Sequence, residues 1–393
     1  MLGKIAWKNI VYKPLNTALC VSLLLFGVGI ISLLLLIQYQ LEEKFDRDLK
    51  DIDLVVGAKG SPLQLVLSSV YHLDAPTGNI KLREARKIME APMVKEAIPL
   101  AYGDSYLGYR ILGTSAAYLK KYDAKFKAGS IFTKTMQAVI GIDVAQKSGL
   151  QVGDTFLGTH GEVKGGHVHD ESPYTVVGIL SKTNSVLDQL VVTNLESVWQ
   201  VHAPATPTTF VADSMDITAI LLQYKSKLSV VNMPRLINDQ TNMQAVLPAL
   251  EINRLFYMLG VGASTLRLIA SGIMVMAGFS VFFVLFNRLR ERKFELALLR
   301  TAGYRPWQLF LLLVLEGLLL AIVGYVLGWL LSRAGLYVVN QQAQGDFNLY
   351  FSSRWILAEG WLLLITLLVG IGAAVIPAWY AMRMNISDVL SEN

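Results

Sequence analysis

The chain has 393 residues, 53% of them hydrophobic and only 17% charged, with a mean hydropathy of +0.45. Globular domains carry about 25% charged residues, so this composition points to a membrane protein and excludes disorder, a collagen-like chain and a small disulfide scaffold. The formal charge of +5 raises nucleic acid or an anionic surface as partners, and the single cysteine, Cys20, excludes an intrachain disulfide and a cysteine-based zinc site.

Residues 1–14 read as an amphipathic lead-in, with Leu2, Ile5, Ala6 and Ile10 on one face, Lys4, Lys8 and Asn9 on the other, and Trp7 at the boundary. This is the pattern of an interfacial helix ahead of a span. No charge occurs between Lys13 and Glu42, so residues 15–40 form the first predicted span, far longer than the apolar core of a signal peptide. Leu41 to Ile52 keeps a helical period, so the helix is expected to continue as a stalk.

Residues 41–263 then read as a mixed α/β extracytoplasmic domain. Helices are expected at Ser61 to His72, Leu82 to Glu90, Ala138 to Ser148, Leu195 to His202 and Val230 to Gln240; strands at Thr155 to Gly158, Tyr174 to Leu180, Leu190 to Thr193 and Asp216 to Gln223. A domain of this size can bury its own core, as one body or as two lobes. Three of the five histidines, His160, His167 and His169, fall in one glycine-rich stretch beside Asp170. Imidazole and carboxylate suit zinc or another transition metal, while a solvated polar loop tip explains the same composition. Ala203 to Thr209 reads as a linker, and from Pro248 a second helical stalk leads back to the membrane.

The second span is read at residues 264–287 and is followed by a charged segment, residues 288–306. There Arg288, Arg290, Glu291, Arg292, Glu295 and Arg300 precede Gly303, which can supply a left-handed helix stop, and Pro306, which suits a first helical turn. A short helix here can be gripped by a cytoplasmic subunit and pass a push to both adjoining spans, and Phe294, Leu296, Leu298 and Leu299 need a covering surface. A solvated face that only sets topology is the alternative. The third span, residues 307–331, carries Glu316, which must hydrogen-bond, pair or be protonated, and is expected to lock this span against its neighbours or a partner subunit. Residues 332–359 read as a short extracytoplasmic loop, 360–382 as the fourth span and 383–393 as a tail. Gly324, Gly328, Gly370, Ala374 and Ala378 permit close helix approach, either within the chain or at a dimer seam.

Ten Lys and Arg lie in the N-terminal flank, the 288–306 segment and the C-terminal tail with its Arg383, against Arg333 and Arg354 in the loop between spans three and four. The basic side faces the cytoplasm, which predicts both termini inside and an inner-membrane, multi-pass protein. The segment 42–263 is then outside with 22 basic and 23 acidic residues, so the excess charge is a topology signal and nucleic acid loses its support.

Several of these stretches together resemble the permease subunits of the macrolide-exporter and lipoprotein-releasing type of ABC transporter, the MacB/FtsX-like permeases. The likeness is carried by the lead-in WKNIVYKPLNTAL, by RLRERKFELALLRTAGYRPWQLFLLLVLEGLLLAIVGYVLG from Arg288 to Gly328, and by PAWYAMRMNISDVL from Pro377. In the outer segment, AQKSGLQVGDTF, YTVVGIL and DQLVVTNLESVWQV carry it. Two stretches depart from the family pattern: Asn385-Ile386 stands where a proline is frequent, and GAKGSPLQLVLSSVYHLDAPTGN from Gly57 matches no part of the better-known members.

The resemblance implies an α-helical membrane protein with four transmembrane helices and a large α/β domain inserted between helices 1 and 2. It implies residues 288–306 as a coupling segment seated on a separate cytoplasmic ABC ATPase, a second permease copy or paralogue, and a periplasmic partner. No phosphate-binding G-x-x-x-x-G-K-[ST] or nucleophile-elbow pattern occurs, so ATP is expected to be used by the partner and this chain not to be an enzyme. The work implied is mechanotransmission, export or release of envelope cargo linked to a transition metal or a lipoprotein. The competing reading is a non-transporting scaffold that regulates an envelope enzyme by the same lever motion.

Overall fold

The computed structural model describes residues 2–12, 14–159, 172–202, 215–226, 229–346 and 351–383. The chain divides into two compact units: residues 1–41 with 259–393, and residues 42–258. Both divisions fall inside long helices.

Among its described residues the first unit holds four apolar helices long enough to cross a membrane. Helix α1 (Leu2–Tyr12) is followed by α2 (Pro14–Leu49), whose 36 residues span about 54 Å at 1.5 Å per residue. A hydrocarbon core needs only ~30 Å, so α2 outruns any bilayer and its polar end, EEKFDRDL, belongs to the other unit.

That second unit is built on strands β1 (Leu54–Ala58), β2 (Ile80–Lys81), β3 (Val94–Tyr106), β4 (Tyr109–Thr114), β5 (Phe126–Gly129), β6 (Gln137–Ile140), β7 (Thr155–Phe156), β8 (Tyr174–Leu180), β9 (Val191–Thr193), β10 (Asp216–Ile217), β11 (Ala219–Tyr224) and β12 (Met243–Val246). Among the described residues its helices are α3 (Pro62–Ser69), α4 (Leu82–Met89), α5 (Ala116–Lys121), α6 (Ile142–Ser148), α7 (Leu195–His202) and α8 (Ser229–Gln240), with a 3-10 turn at Val186–Gln189. Among the described residues the main sheet runs β12-β1-β11-β3-β4-β9-β6-β8-β5, with β7 on β8. Most pairs are antiparallel; β4 with β9 and β6 with β8 are parallel.

Two apolar clusters cover this sheet at different places. One gathers Leu54, Val56, Ile80, Ile220, Ile237 and Met243; the other gathers Tyr109, Ile111, Ile140, Phe156, Tyr174 and Val176. Strand β8 shows why the second forms: Tyr174, Val176, Gly178 and Leu180 are buried in strict alternation, one face of a pleated strand. Helix α3 starts where Ser61 accepts the Gln64 N–H and Pro62 occupies the first turn.

The expected helix from Ala138 is shorter than its pattern suggested. Residues 137–140 form β6 between β8 and β9, and the helix begins only after Gly141. Fully buried Ala138, Val139 and Ile140 suit a central strand, where both faces are covered.

The remaining helices are α9 (Pro248–Glu291), α10 (Lys293–Thr301), α11 (Pro306–Asp346) and α12 (Leu357–Met382). Helix α11 continues well past the apolar run that ended its predicted span at Leu331, carrying Arg333 and Asn340 within it. Close approach is what the small residues supply. A Cβ at Gly324 or Gly328 would overlap Leu24 or Val28 of α2, and one at Gly317 or Gly370 would meet the opposing helix of the α11–α12 pair. These glycines therefore pack within one chain.

The lead-in helix differs from the interfacial expectation in one respect. Its apolar face is covered by protein: Ala6 and Ile10 are buried, Ala6 in a cluster with Leu309, Leu312, Leu313, Ala378 and Ala381. Lys4, Trp7 and Lys8 remain exposed on the other side.

Candidate functional site

The charged segment after the second span folds as a short helix between two long ones. Helix α9 runs on to Glu291, and the backbone leaves helical geometry at Arg292, with φ −105° and ψ 15°. Helix α10 then begins with an acidic residue in its first turn, Glu295, and ends with a basic one in its last, Arg300. Both signs suit the helix dipole. The Arg292 Nε donates to Glu295 Oε2 at 2.6 Å, bracing the break. Gly303 takes the left-handed conformation, φ +97°, that stops the segment, and Pro306 opens α11.

One face of α10 is spoken for by its own chain. Leu296 and Ala297 are buried, Leu296 against Leu309, Leu312 and Leu313. The opposite face leaves Phe294 and Leu298 exposed at 42% and 48%, flanked by exposed Arg290, Glu291 and Glu295. A purely solvated face has no use for two large apolar side chains there.

Arg288 lies apart from this exposed set. It is 5% exposed, and its Nη2 donates to Thr17 Oγ1 at 2.6 Å while Thr17 in turn donates to Ile10 O. Its Nε and Nη1 are buried without a hydrogen-bond partner among the described residues. Glu316, 2% exposed, accepts from Asn9 Nδ2 at 2.5 Å and lies within electrostatic reach of Arg288. Asn9, Thr17, Arg288 and Glu316 come from α1, α2, α9 and α11. The segment that leads into α10 is thus rooted in polar contacts among four helices, with a carboxylate and a guanidinium shielded from solvent.

A second buried ionic cluster joins α2, α11 and α12 farther along the bundle. Glu359, in the first turn of α12, is fully buried; its Oε1 accepts from Ser32 Oγ at 2.6 Å and its Oε2 from Arg333 Nη2 at 2.8 Å. Tyr325 donates to the Glu359 carbonyl at 3.0 Å, and the Arg333 guanidinium lies 4.9 Å from the Trp329 ring. The available signal was that Glu359 stands three residues after Ile356, where a carboxylate can reach back to a helix-start N–H. It does so here.

The histidine-rich stretch with His160, His167, His169 and Asp170 lies outside the described residues, as does the Ala203 to Thr209 linker. Among the described residues no group of three or more His, Cys, Asp or Glu side chains is placed to hold a metal ion.

Two family models match the chain: the MacB-like periplasmic core domain over residues 17–233 and the FtsX-like permease C-terminal region over residues 267–386. Among solved structures, the periplasmic region of MacB from Actinobacillus actinomycetemcomitans is similar at 11% identity, covering 53% of this chain and 95% of that one, with a TM-score of 0.35. The extracellular domain of the noncanonic ABC-type transporter YknZ from Gram-positive bacteria is similar at 14% identity, covering 49% of this chain and 98% of that one, with a TM-score of 0.32. No curated protein sequence matches.

Proposed function

Since the chain belongs to the MacB/FtsX-like ABC transporter permeases, its periplasmic-core match alone covering more than half of it, we propose that it is driven by a separate cytoplasmic ATPase that docks on α10. The observation that carries this reading is the exposed Phe294 and Leu298 on a short helix whose other face is packed against α11. Such a helix is held firmly by the permease and offers an apolar, charge-rimmed face to a partner.

In this reading Arg290, Glu291, Arg292, Glu295 and Arg300 set the charge match with the ATPase, and Gly303 fixes where α10 ends. Arg288 and Glu316 root the segment, so that displacement of α10 reaches α1, α2, α9 and α11 together. In the same reading both termini and α10 lie in the cytoplasm of an inner-membrane protein with residues 42–263 outside, an orientation the basic flanks support. A second permease copy completes the transporter. The work done is mechanical: ATP-driven closure of the partner moves α2 and α9, and the inserted domain acts on cargo or on an envelope partner. A transition metal or a lipoprotein is the cargo class consistent with the His160 to Asp170 composition and with the family.

The test is purification of the full chain from its host membranes, with an ABC ATPase expected to co-purify. Reversing Arg290, Arg292 and Arg300 to Glu is expected to abolish co-purification and ATPase stimulation. Full binding and stimulation by the reversed segment would reject the docking site.

A further inference from the structure

Within the 42–258 unit, the last turn of α2 is held by side chains from several separate elements. A helix ends with four carbonyls that lack intrahelical partners, and most of what this end exposes can be assigned. In the turn that leaves the helix, Arg47 O accepts the Lys50 N–H and Leu49 O accepts the Ile52 N–H. The Asp48 carbonyl accepts the Tyr122 hydroxyl at 3.1 Å, and the Lys50 carbonyl accepts the Lys121 ammonium. One turn back, the Phe45 carbonyl accepts the Tyr71 hydroxyl at 3.1 Å.

The opposite side is held as well. Arg47 Nη1 donates to Asn184 O at 2.8 Å, and Asp48 Oδ1 accepts the Val186 N–H at 3.2 Å. That loop is itself fixed by the Asp188 carboxylate, which accepts the N–H groups of Thr183 and Asn184, both at 2.8 Å.

Tyr71, Lys121 and Tyr122 all donate to main-chain oxygens of α2 or its exit turn. They therefore grip the helix end itself and not a side chain that could swing away. An ammonium at a helix C-terminus also meets the negative end of the dipole. Helix α9 is joined differently: it leaves directly from β12 at Pro248, with Leu250 and Tyr257 exposed at 61% and 76%. Among the described residues, side chains from several elements donate to the end of α2, while α9 contributes Phe256 against Phe45 of that same end.

We infer that this grip is the joint through which the inserted domain follows α2, with Tyr71, Lys121 and Tyr122 as its positioning residues. The inference rests on the coupling reading above and adds to it where the motion is received.

The experiment uses the full chain in nanodiscs with its co-purified ATPase. Cys20 is buried and is the sole cysteine, so Leu107→Cys at an exposed turn takes a donor fluorophore selectively, with acceptors on the lipid headgroups. In wild type, ATP is expected to change the energy transfer. In Tyr71→Phe/Lys121→Met/Tyr122→Phe that change is expected to fall about tenfold while ATP hydrolysis stays within about twofold, the scale of a lost coupling term. Lys121→Arg, which keeps a donor, restores the response that Lys121→Met loses. If the triple variant does not fold, the single variants Lys121→Met and Tyr122→Phe are read in the same way. A full response in the variants overturns the joint. An ATP-hydrolysing wild type with no change at residue 107 overturns the coupling reading, and the joint with it.

Discussion

His72 sets a pH dependence whose size follows from its surroundings. It takes a left-handed backbone, φ 55°, and its ring lies between two tyrosines. Tyr102, which gives its own hydroxyl hydrogen to Ser68 O, lies at Nδ1, and the Tyr118 hydroxyl lies 2.7 Å from Nε2. Burial first, and the Arg110 guanidinium second, push the His72 pKa down to about 3.

A histidine in an unfolded chain titrates near ~6.5. Between that value and about 3 the unfolded chain binds a proton that the native one does not, so stability is complete above pH ~6.5 and declines as pH falls. At pH 5 the loss from this one group is at most about 2 kcal/mol, or roughly 4–8 °C in Tm for a domain of this size. The assay is thermal unfolding of the full chain in nanodiscs at pH 8 and pH 5, wild type against His72→Gln, with the histidine term read as the difference. The wild type is expected to lose the additional stability and the variant not to. Equal pH slopes in the two proteins would refute the assignment of a buried neutral ring.

Breaking the second ionic cluster should cost far more than removing a surface pair. Glu359→Gln leaves the Arg333 guanidinium without its carboxylate in a nearly solvent-free site and is expected to destabilise the helix bundle by about 3–5 kcal/mol, against ~1 kcal/mol for Ser32→Ala; chemical denaturation in detergent compares them. Gly328→Val places methyl groups where Val28 already sits and is expected to cost about 1–3 kcal/mol or more, with a lowered thermal midpoint. Replacing His160, His167 and His169 by Ala should abolish zinc binding measured calorimetrically on the full chain, and unchanged affinity would remove the metal reading.

The spans were legible because their apolar runs leave few alternatives, and the end of the short helix α10 because Gly303 and Pro306 mark it in chemistry that only a few conformations use. What pattern could not supply was partner choice. Arg288 stands in the same basic run as Arg290 and Arg292, yet it turns inward to Thr17 because α9 continues as a regular helix through it. Period alone assigns that side to the buried face only once the neighbouring helices are known. Arg333 was legible as a basic charge near a membrane boundary, but its pairing with Glu359 was not, since the two lie on different helices. The stretch from Val94 to Gly129, which gives β3, β4, α5 and β5, drew no expectation. Pro99, Gly103 and Gly108 interrupt its alternation, and tertiary pairing with β11 overrides that local signal.

The proposed docking of an ATPase on α10 is tested most directly by a photo-crosslinking amino acid at Leu298, in the full chain expressed with the ATPase that co-purifies with it. The account predicts an adduct between the two proteins from Leu298 and none from Trp361, at the far end of α12. An adduct from Trp361, or none from Leu298 in a complex that still co-purifies, would contradict it.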